Sequence, residues 1–194
     1  MVEPAVTVII GTYNRAQLLS DAIRSVVAQT LPDWELLVVD NGSTDDTHAV
    51  VSGFRDERVM YIRNEPPTGS CAAPRNIAAR RARGPYLALL DDDDIFYPEK
   101  LRVCVDVLRE HQEASLVCHA QQVVRDGKPV SISRWGPWSP DMYERLLYDR
   151  NYLSPGAVVI RKDALIAVGG FDTREEYLGC DDYDLWIRLA RTGG

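Results

Sequence analysis

The residues of this sequence most suited to chemistry are four consecutive aspartates at 91–94. Like charges normally lie on a solvated surface, because they repel one another and gain nothing from burial. Here the run follows residues 86–90, an apolar segment typical of a strand covered on both faces of a parallel sheet. Ligands bind beyond the carboxyl ends of such strands, and a divalent cation would relieve the repulsion. The pattern predicts a metal or metal–diphosphate site, with capping or solubility as the alternative.

A separate acidic pair, Asp181 and Asp182, precedes a segment of apolar and basic residues at 185–191. The dipole at a helix N-terminus favours the ionised carboxylate, which suits a general base that must be deprotonated at neutral pH. Aspartate is also a preferred N-cap residue, so helix capping explains either side chain equally well. The pair is therefore a candidate base only in combination with other motifs.

Three other loops would share the edge of a parallel sheet with the acidic run. They are residues 11–15, 40–43 and 69–76. Asp40 can accept hydrogen bonds from a ribose or a nucleobase, with a turn-forming role as the alternative. Arg75 can present a planar cation to a phosphate or a base edge, with a surface salt bridge as the alternative. Neither GxGxxG nor a P-loop occurs, so a dinucleotide dehydrogenase or a Walker-type nucleotidase is poorly supported.

Strand-like and helix-like segments alternate in the first half of the chain. This alternation favours an α/β fold with a single Rossmann-like, mostly parallel sheet flanked by helices. The predicted strands cover residues 6–10, 34–39, 59–62 and 86–90. The predicted helices cover residues 18–27, a segment that has Thr44 as its N-cap and ends near Gly53, and residues 72–82.

The second half of the chain is less regular. Its pattern predicts a helix over 99–109, a strand over 115–124, a hairpin turn at Asp126 and Gly127, a helix over 142–148, a strand over 157–160 and a last helix that contains Trp186. Residues 131–140 lose periodicity and predict a loop or lid. Trp135 and Trp138 in this loop either stack on a sugar or fix the loop to the core.

The composition fits one ordinary domain and restricts its partners. The chain has 194 residues, 45% of them hydrophobic, which is enough for one sizeable core. The net charge of −7 argues against a nucleic-acid or anionic-membrane partner, because those surfaces require a basic excess. Four scattered cysteines without a CxxC pair fit a reducing compartment, and the sequence has no signal-like or transmembrane-length segment. We therefore expect a cytoplasmic protein.

The order and spacing of five motifs resemble those of the family 2 glycosyltransferases, inverting enzymes of the glycosyltransferase A fold that use nucleotide-diphosphate sugars. The motifs are VIIGTYNR at 8–15, VVDNGSTD at 38–45, PRN at 74–76, LDDDD at 90–94 and DDYDLWIR at 181–188. The resemblance covers essentially the whole chain and rests on the ordered set, since no motif is specific alone. It implies one catalytic domain over 1–194, with a nucleotide-binding half at 1–95 and an acceptor-side half at 96–194.

The resemblance also implies roles for individual residues. The expected nucleotide-binding residues are Thr12, Tyr13, Asn14, Asp40, Arg75, Asp91 and Asp92. Asp40 would bind a uracil-type base, whereas Asp91 and Asp92 would face ribose or metal. Asp93, with Asp91, would coordinate Mg²⁺ or Mn²⁺ that bridges the diphosphate, and Asp94 would orient the turn.

By the same resemblance, an acceptor hydroxyl attacks the anomeric carbon in one displacement that inverts its configuration. The base is Asp181 or Asp182: family members commonly have glutamate before aspartate here, which favours Asp182, whereas an ungapped count back from Trp186 favours Asp181. The implied partners are a nucleotide-diphosphate sugar, expected to be a UDP-sugar, and a saccharide or lipid-linked saccharide acceptor. We expect the latter to bring the protein to the inner face of the membrane.

The sequence departs from the family pattern in several places. Gly11 stands where proline is common and Asn41 where a second acid is common, but neither change removes the main nucleotide contact. The chain stops directly after the last predicted helix, where family members continue, so we expect a piece of a longer protein. The arginine and tryptophan motif of processive synthases is not seen in the sequence, which favours transfer of single sugars.

Two other functions stay open at this point. A nucleotidyltransferase that makes a sugar nucleotide would share the sheet, the metal and the nucleotide, but it usually has a glycine-rich basic loop after its first strand. Residues 11–15 contain only one glycine. A non-catalytic nucleotide-sugar or cation-binding module would bind without turnover. An EF-hand is not supported, because the alternating ligand pattern with a central glycine is missing from the acidic run.

Overall fold

The computed structural model describes residues 3–193. Six strands form a central sheet, and two more form a separate hairpin. The strands are β1 Val6–Thr12, β2 Trp34–Asp40, β3 Val59–Arg63, β4 Tyr86–Leu89, β5 Leu116–Cys118, β6 Gln121–Arg125, β7 Lys128–Ser133 and β8 Val158–Arg161. The central sheet has the order β3-β2-β1-β4-β8-β5, and β6 pairs with β7.

Strands β3, β2, β1 and β4 are parallel, and β8 is antiparallel to both β4 and β5. The sheet is therefore mostly parallel, which confirms the predicted fold class. Because β8 runs against its neighbours, it begins at the edge where the other strands end. We call this edge, at which β1, β2, β4 and β5 end and β8 begins, the carboxyl edge.

Helices flank the sheet along the chain. They are α1 Ala16–Val27, α2 Thr47–Ser52, α3 Ala72–Arg81, α4 Lys100–Glu110, α5 Met142–Tyr148, α6 Lys162–Ala167 and α7 Asp181–Ala190, with short 3₁₀ turns at Pro155–Ala157 and Glu175–Tyr177. Within residues 3–193, no helix combines the length and the apolar character that crossing a membrane requires.

Both faces of the sheet are covered, which explains why its inner strands are apolar at nearly every position. Successive residues of β1 point to opposite faces: Ile10 packs in one buried cluster with Leu101 of α4, and Ile9 packs in the other with Trp186 of α7. Full burial of one such side chain contributes about 1.5–3 kcal/mol. The two clusters hold the strand ends, and hence the loops of the carboxyl edge, in fixed positions.

The start of α2 differs from the prediction. Thr44 is not its N-cap, since the helix begins at Thr47 and is preceded by Asp46. The cause is Asp45, whose carboxylate accepts hydrogen bonds from the backbone N–H of Thr47 and from that of Ala16, both over 3.0 Å. These bonds tie the segment to the start of α1 instead of extending the helix towards Thr44.

The single strand predicted over 115–124 is wrong, because the segment divides between two sheets. β5 joins the central sheet through β8, whereas β6 joins the hairpin. The turn predicted at Asp126 and Gly127 is confirmed, with φ of 51° and 71°, a pair of positive values that Asp-Gly favours in two-residue hairpins. β7 extends to Ser133, so the irregular segment expected at 131–140 starts later, and α6 is an unpredicted helix.

Candidate active site

The loops predicted to share one edge of the sheet meet there. Thr12 Oγ1, at the end of β1, donates a hydrogen bond to Asp92 Oδ2 over 2.7 Å. The backbone N–H of Asn14 donates to Ser43 Oγ over 2.9 Å, which joins the loops after β1 and β2. Because α3 also contacts this edge through Arg75, as described below, all four segments form one continuous site.

The acidic run contains residues in different environments. Asp92 is buried and accepts hydrogen bonds from Thr12 and from Arg15 Nη1, the latter over 3.0 Å. Burial raises the pKa of Asp92 above its usual value, and these two hydrogen bonds oppose the rise. The side chains of Asp91 and Asp93 are 41% and 48% exposed. Asp92 therefore fixes the loop, while Asp91 and Asp93 are accessible to a ligand.

Asp91 and Asp93, the two accessible aspartates of the run, could supply part of the ligand set of a divalent metal ion. In residues 3–193, no group of three or more acidic, histidine or cysteine side chains is arranged to hold a metal ion by itself. Mg²⁺ in nucleotide enzymes usually takes one or two carboxylates and completes its shell with water and substrate phosphates. Asp91 and Asp93 are the donor set expected for a cation that a diphosphate helps to hold. Arg15 Nη1 lies 3.0 Å from Asp93 Oδ2 and pairs with that carboxylate.

Arg75 connects the acidic run to the start of α7. Its side chain is only 11% exposed and donates from Nη2 to Asp91 Oδ1 over 2.9 Å and from Nη1 to Asp181 Oδ2 over 3.2 Å. The guanidinium carbon lies 5.4 Å from the centroid of the Phe171 ring. One planar cation thus brings the predicted nucleotide loop and the predicted catalytic helix together.

The two candidate bases have different surroundings. Asp181 is buried, and desolvation raises its pKa; the charge of Arg75 opposes this rise and the charge of Asp182 adds to it. Asp182 is half-buried, and its carboxylate makes no hydrogen bond or ion pair with any residue in 3–193. Asp181 is therefore committed to Arg75, while both carboxylate oxygens of Asp182 are available to a ligand.

Asp40 lies below the surface of the site. It is fully buried, and it accepts hydrogen bonds from the backbone N–H of Ser43 over 2.7 Å and from the Tyr61 hydroxyl over 2.5 Å, with Arg63 Nη1 at 3.4 Å. Sequence reasoning misses Tyr61 and Arg63. Strand periodicity is the available signal, because both residues lie on one face of β3 and Arg63 is opposite Asp40 in the register.

Tyr13 and Asn14 have different roles in the loop after β1. Tyr13 is 53% exposed and presents its ring to solvent. Asn14 has a φ of 52°, and its Oδ1 accepts a hydrogen bond from the backbone N–H of Thr44 over 2.8 Å. Asn14 therefore braces two loops against each other, whereas Tyr13 is free to contact a ligand. The nucleotide contacts expected of these residues stay predictions.

Asp94 closes the acidic turn through its backbone, whose N–H donates to the Asp91 carbonyl over 3.1 Å. Its carboxylate accepts no hydrogen bond from residues 3–193. Burial raises the pKa of Asp94, the charges of Asp91 and Asp93 add to the rise, and the charge of Lys100 opposes it. The turn-orienting role thus belongs to the main chain of Asp94, and its side chain is available for another role.

Lys100 is a third residue that sequence reasoning misses. It is buried, its Nζ donates to the Gly156 carbonyl over 2.7 Å, and Nζ lies 3.5 Å from the Phe96 ring centroid. Burial lowers the pKa of Lys100 to about 7. Helical spacing is the available signal, since Lys100 lies four residues before Cys104 on the buried face of α4. The hydrogen bond ties α4 to the turn that precedes β8.

Solved structures of other proteins share this architecture and identify the fold class. The chain matches S. aureus TarS 1–349 in complex with UDP-GlcNAc with a TM-score of 0.74 and 22% identity, over 95% of this chain and 52% of that one. It matches the mannosyltransferase PcManGT from Pyrobaculum calidifontis, in complex with GDP-Man and Mn²⁺, with a TM-score of 0.66 and 23% identity, over 100% of this chain and 54% of that one. The fold is the glycosyltransferase A fold.

The family follows from the sequence. The family model described as glycosyl transferase family 2 matches residues 7–169, and the chain belongs to this family. An Escherichia coli K12 relative named "Putative colanic acid biosynthesis glycosyl transferase WcaA" is 33% identical over 200 residues, which cover 96% of this chain and 66% of the relative. The chain spans between 30% and 66% of the length of three such curated relatives.

Proposed function

We propose that this chain carries the catalytic site of an inverting glycosyltransferase, which moves a sugar from a UDP-sugar to an acceptor hydroxyl with the help of Mg²⁺ or Mn²⁺. The Arg75 bridge carries the proposal, because its bonds to Asp91 and Asp181 hold the donor loop beside the helix that bears the base. Membership of glycosyl transferase family 2 favours this reaction over the synthesis of a sugar nucleotide.

The nucleotide would bind at the carboxyl edge, between the loops after β1 and β2. The exposed ring of Tyr13 offers a stacking surface for the base. Asp40 would contact uracil by exchanging one of its present donors, the Ser43 N–H or the Tyr61 hydroxyl, for an N–H of the base. The choice of uridine is supported by TarS, solved with UDP-GlcNAc; guanosine is the alternative, since PcManGT was solved with GDP-Man.

Asp93, together with Asp91, would hold the metal against the diphosphate. When bound, the cation neutralises negative charge that develops on the departing diphosphate. Asp92 keeps the loop in place for this purpose, because it is fixed by Thr12 and Arg15. Arg75 and Arg15 supply fixed positive charges beside the same leaving group.

Asp182 would be the general base. Its carboxylate has no partner among residues 3–193, whereas that of Asp181 is paired with Arg75. The acceptor hydroxyl gives its proton to Asp182 while its oxygen forms a bond to the anomeric carbon. The bond from that carbon to the diphosphate oxygen breaks, and both electrons leave with the diphosphate. Attack opposite the leaving group inverts the configuration.

The acceptor would be a saccharide. The E. coli relative is named for colanic acid biosynthesis, which supports an acceptor of polysaccharide type. A lipid-linked acceptor at the inner face of the membrane stays a prediction.

Titration calorimetry of UDP with and without Mn²⁺ tests the donor site. We expect Mn²⁺ to strengthen UDP binding to the wild-type chain by about tenfold or more, equivalent to ~1.4 kcal/mol, and the Asp93→Ala variant to lose this gain. Asp21→Ala is the matched control, because Asp21 lies exposed on α1 and pairs only with Arg24. Binding of GDP instead of UDP would contradict the base assignment, and binding of no nucleotide would contradict the proposed function.

A further inference from the structure

We propose that Asp94 and Gln121 recognise hydroxyl groups of the transferred sugar and thereby set the sugar specificity of the enzyme. The inference rests on the proposed function, since it takes the diphosphate to bind beside Asp93. The two side chains come from separate elements: Asp94 ends the acidic run after β4, and Gln121 begins β6. The sequence motifs assign neither residue to the sugar.

The topology of the sheet brings the two residues together. β5 ends and β8 begins at the carboxyl edge, so Gln121 and the turn Pro155–Ala157 both lie beside the acidic run. A Cβ atom added to Gly156 would lie 2.8 Å from Asp94 Oδ2 and 2.8 Å from Gln121 Nε2. Cβ atoms do not approach other heavy atoms so closely, so a larger residue at 156 would displace the ends of both side chains, whereas glycine leaves the carboxylate and the amide facing the same point.

Both side chains have hydrogen-bonding capacity that the described protein does not use. Within residues 3–193, the Asp94 carboxylate accepts no hydrogen bond and Gln121 Nε2 donates none. Trp135 Nε1 donates to Gln121 Oε1 over 2.7 Å, which fixes the amide with its NH₂ group towards Gly156. Both side chains are only partly buried, so water can reach them in the free protein. A donor and an acceptor that face one point beside the acidic run, without a protein partner, are available to a ligand that displaces this water.

The chemistry of the pair matches a sugar. A carboxylate only accepts hydrogen bonds and an amide NH₂ only donates them, whereas each sugar hydroxyl does both. Asp94 and Gln121 can therefore bind two neighbouring hydroxyls of one pyranose ring, and Trp135 adds an apolar ring beside them.

The position of the pair favours the transferred sugar over the acceptor. Asp94 directly follows Asp93, the proposed metal ligand, and the transferred sugar is bonded to the diphosphate on which that metal would act. The acceptor would instead approach from the side of Asp182, which lies on α7.

Affinities for UDP and for UDP-sugars separate this subsite from the nucleotide site. Titration calorimetry with Mn²⁺ and UDP, UDP-glucose, UDP-galactose or UDP-N-acetylglucosamine gives the ratio of UDP-sugar to UDP affinity for each protein. For the wild type, at least one UDP-sugar should bind more tightly than UDP. In Asp94→Asn and in Gln121→Glu this ratio should fall about tenfold, because the first variant loses a charge-assisted hydrogen bond and the second loses the amide donor, while the UDP affinity stays within about twofold.

Two further variants complete the test. Gln112→Glu makes the same substitution at an exposed position after α4 and should leave the ratio unchanged. Trp135→Phe keeps an aromatic ring but removes the N–H that orients Gln121, so the ratio should fall by about threefold, less than in the direct variants. This milder change keeps the proposal testable if a direct variant does not fold.

The contrary results separate failure of the sugar subsite from failure of the proposed function. Equal losses for UDP and UDP-sugars, or no loss in the variants, would overturn the sugar subsite and leave the proposed donor site standing. A wild-type chain that binds every UDP-sugar no more tightly than UDP would overturn the subsite as well. A chain that binds no nucleotide would remove the proposed function together with the subsite.

Discussion

Two regions of the site use their carboxylates differently. At the ends of β2 and β4, Asp40 and Asp92 are buried and hold neighbouring segments by accepting hydrogen bonds. At the start of α7, Asp182 is half-buried and its carboxylate accepts no hydrogen bond from residues 3–193. Hydrogen-bond partners thus separate carboxylates that the motifs alone do not distinguish.

Asp181 connects the two patterns. It lies beside Asp182 at the start of α7, but it is buried and paired with Arg75, as Asp40 and Asp92 are paired with their donors. These contacts support the proposal that Asp181 belongs to the frame of the site and Asp182 to its chemistry, although the two residues are adjacent in the sequence.

The largest expected effect is that of Asp182→Asn. Removal of a general base should lower kcat by about a thousandfold, while UDP affinity stays unchanged, because the base contacts the acceptor and not the nucleotide. The measurement is UDP release with a saccharide acceptor, together with calorimetry of UDP. Asp181→Asn should instead lower chiefly the stability. Equal losses of kcat in the two variants would contradict the distinction between them.

Arg75→Met should have the next largest effect. It leaves the buried carboxylate of Asp181 without its cation, and loss of one partner of a buried pair costs about 3 kcal/mol. Burial already raises the pKa of Asp181, and removal of Arg75 raises it further. The loss should therefore be larger near pH 8 than near pH 5, because it shrinks as the pH falls towards the raised pKa of Asp181 and the uncompensated charge disappears.

Urea unfolding at the two pH values measures this difference in the free energy of unfolding. Arg102→Met is the control, since Arg102 forms only exposed pairs on α4 and its loss should cost less than about 1 kcal/mol. An Arg75→Met variant with the same loss at both pH values would show that the Arg75–Asp181 pair does not set the stability of the site.

Tyr61→Phe should have the smallest of these effects. It removes the hydroxyl that donates to Asp40 and leaves a buried carboxylate oxygen short of one donor, at a cost of about 1–3 kcal/mol. Urea unfolding measures the loss, and Tyr148→Phe, at an 85% exposed position, is the matched control. Equal stability of the two variants would show that Asp40 does not depend on Tyr61.

The first half of the fold could be predicted from the sequence because its signals are local. Strands β1 to β4 lie within two residues of their predicted bounds, since apolar runs of strand length alternate with helical spacing. The segment 115–124 could not be divided in the same way. Its residues favour a strand throughout, and only the partners, β8 for one part and β7 for the other, decide where it breaks.

The candidate site shows the same limit. The motifs predict that Thr12, Asp92 and Arg75 lie at one edge of the sheet, because parallel strands end together. The bond from Arg75 to Asp181 spans 106 residues of the chain, and sequence spacing does not encode such a partner. Sequence spacing does not reveal the unused amide of Gln121 either, because the orientation of that amide depends on Trp135 and on the glycine at 156.

A crystal structure of this chain with a UDP-sugar and Mn²⁺ would show whether Asp93 holds the metal and whether Asp182 is placed to act as the base. We expect an anomalous Mn²⁺ peak within coordination distance of Asp93 and the diphosphate. We also expect Asp182, not Asp181, to be the carboxylate nearer the side of the anomeric carbon opposite the diphosphate. A metal peak away from Asp93, or Asp181 released from Arg75 and facing that carbon, would show that these roles are wrong.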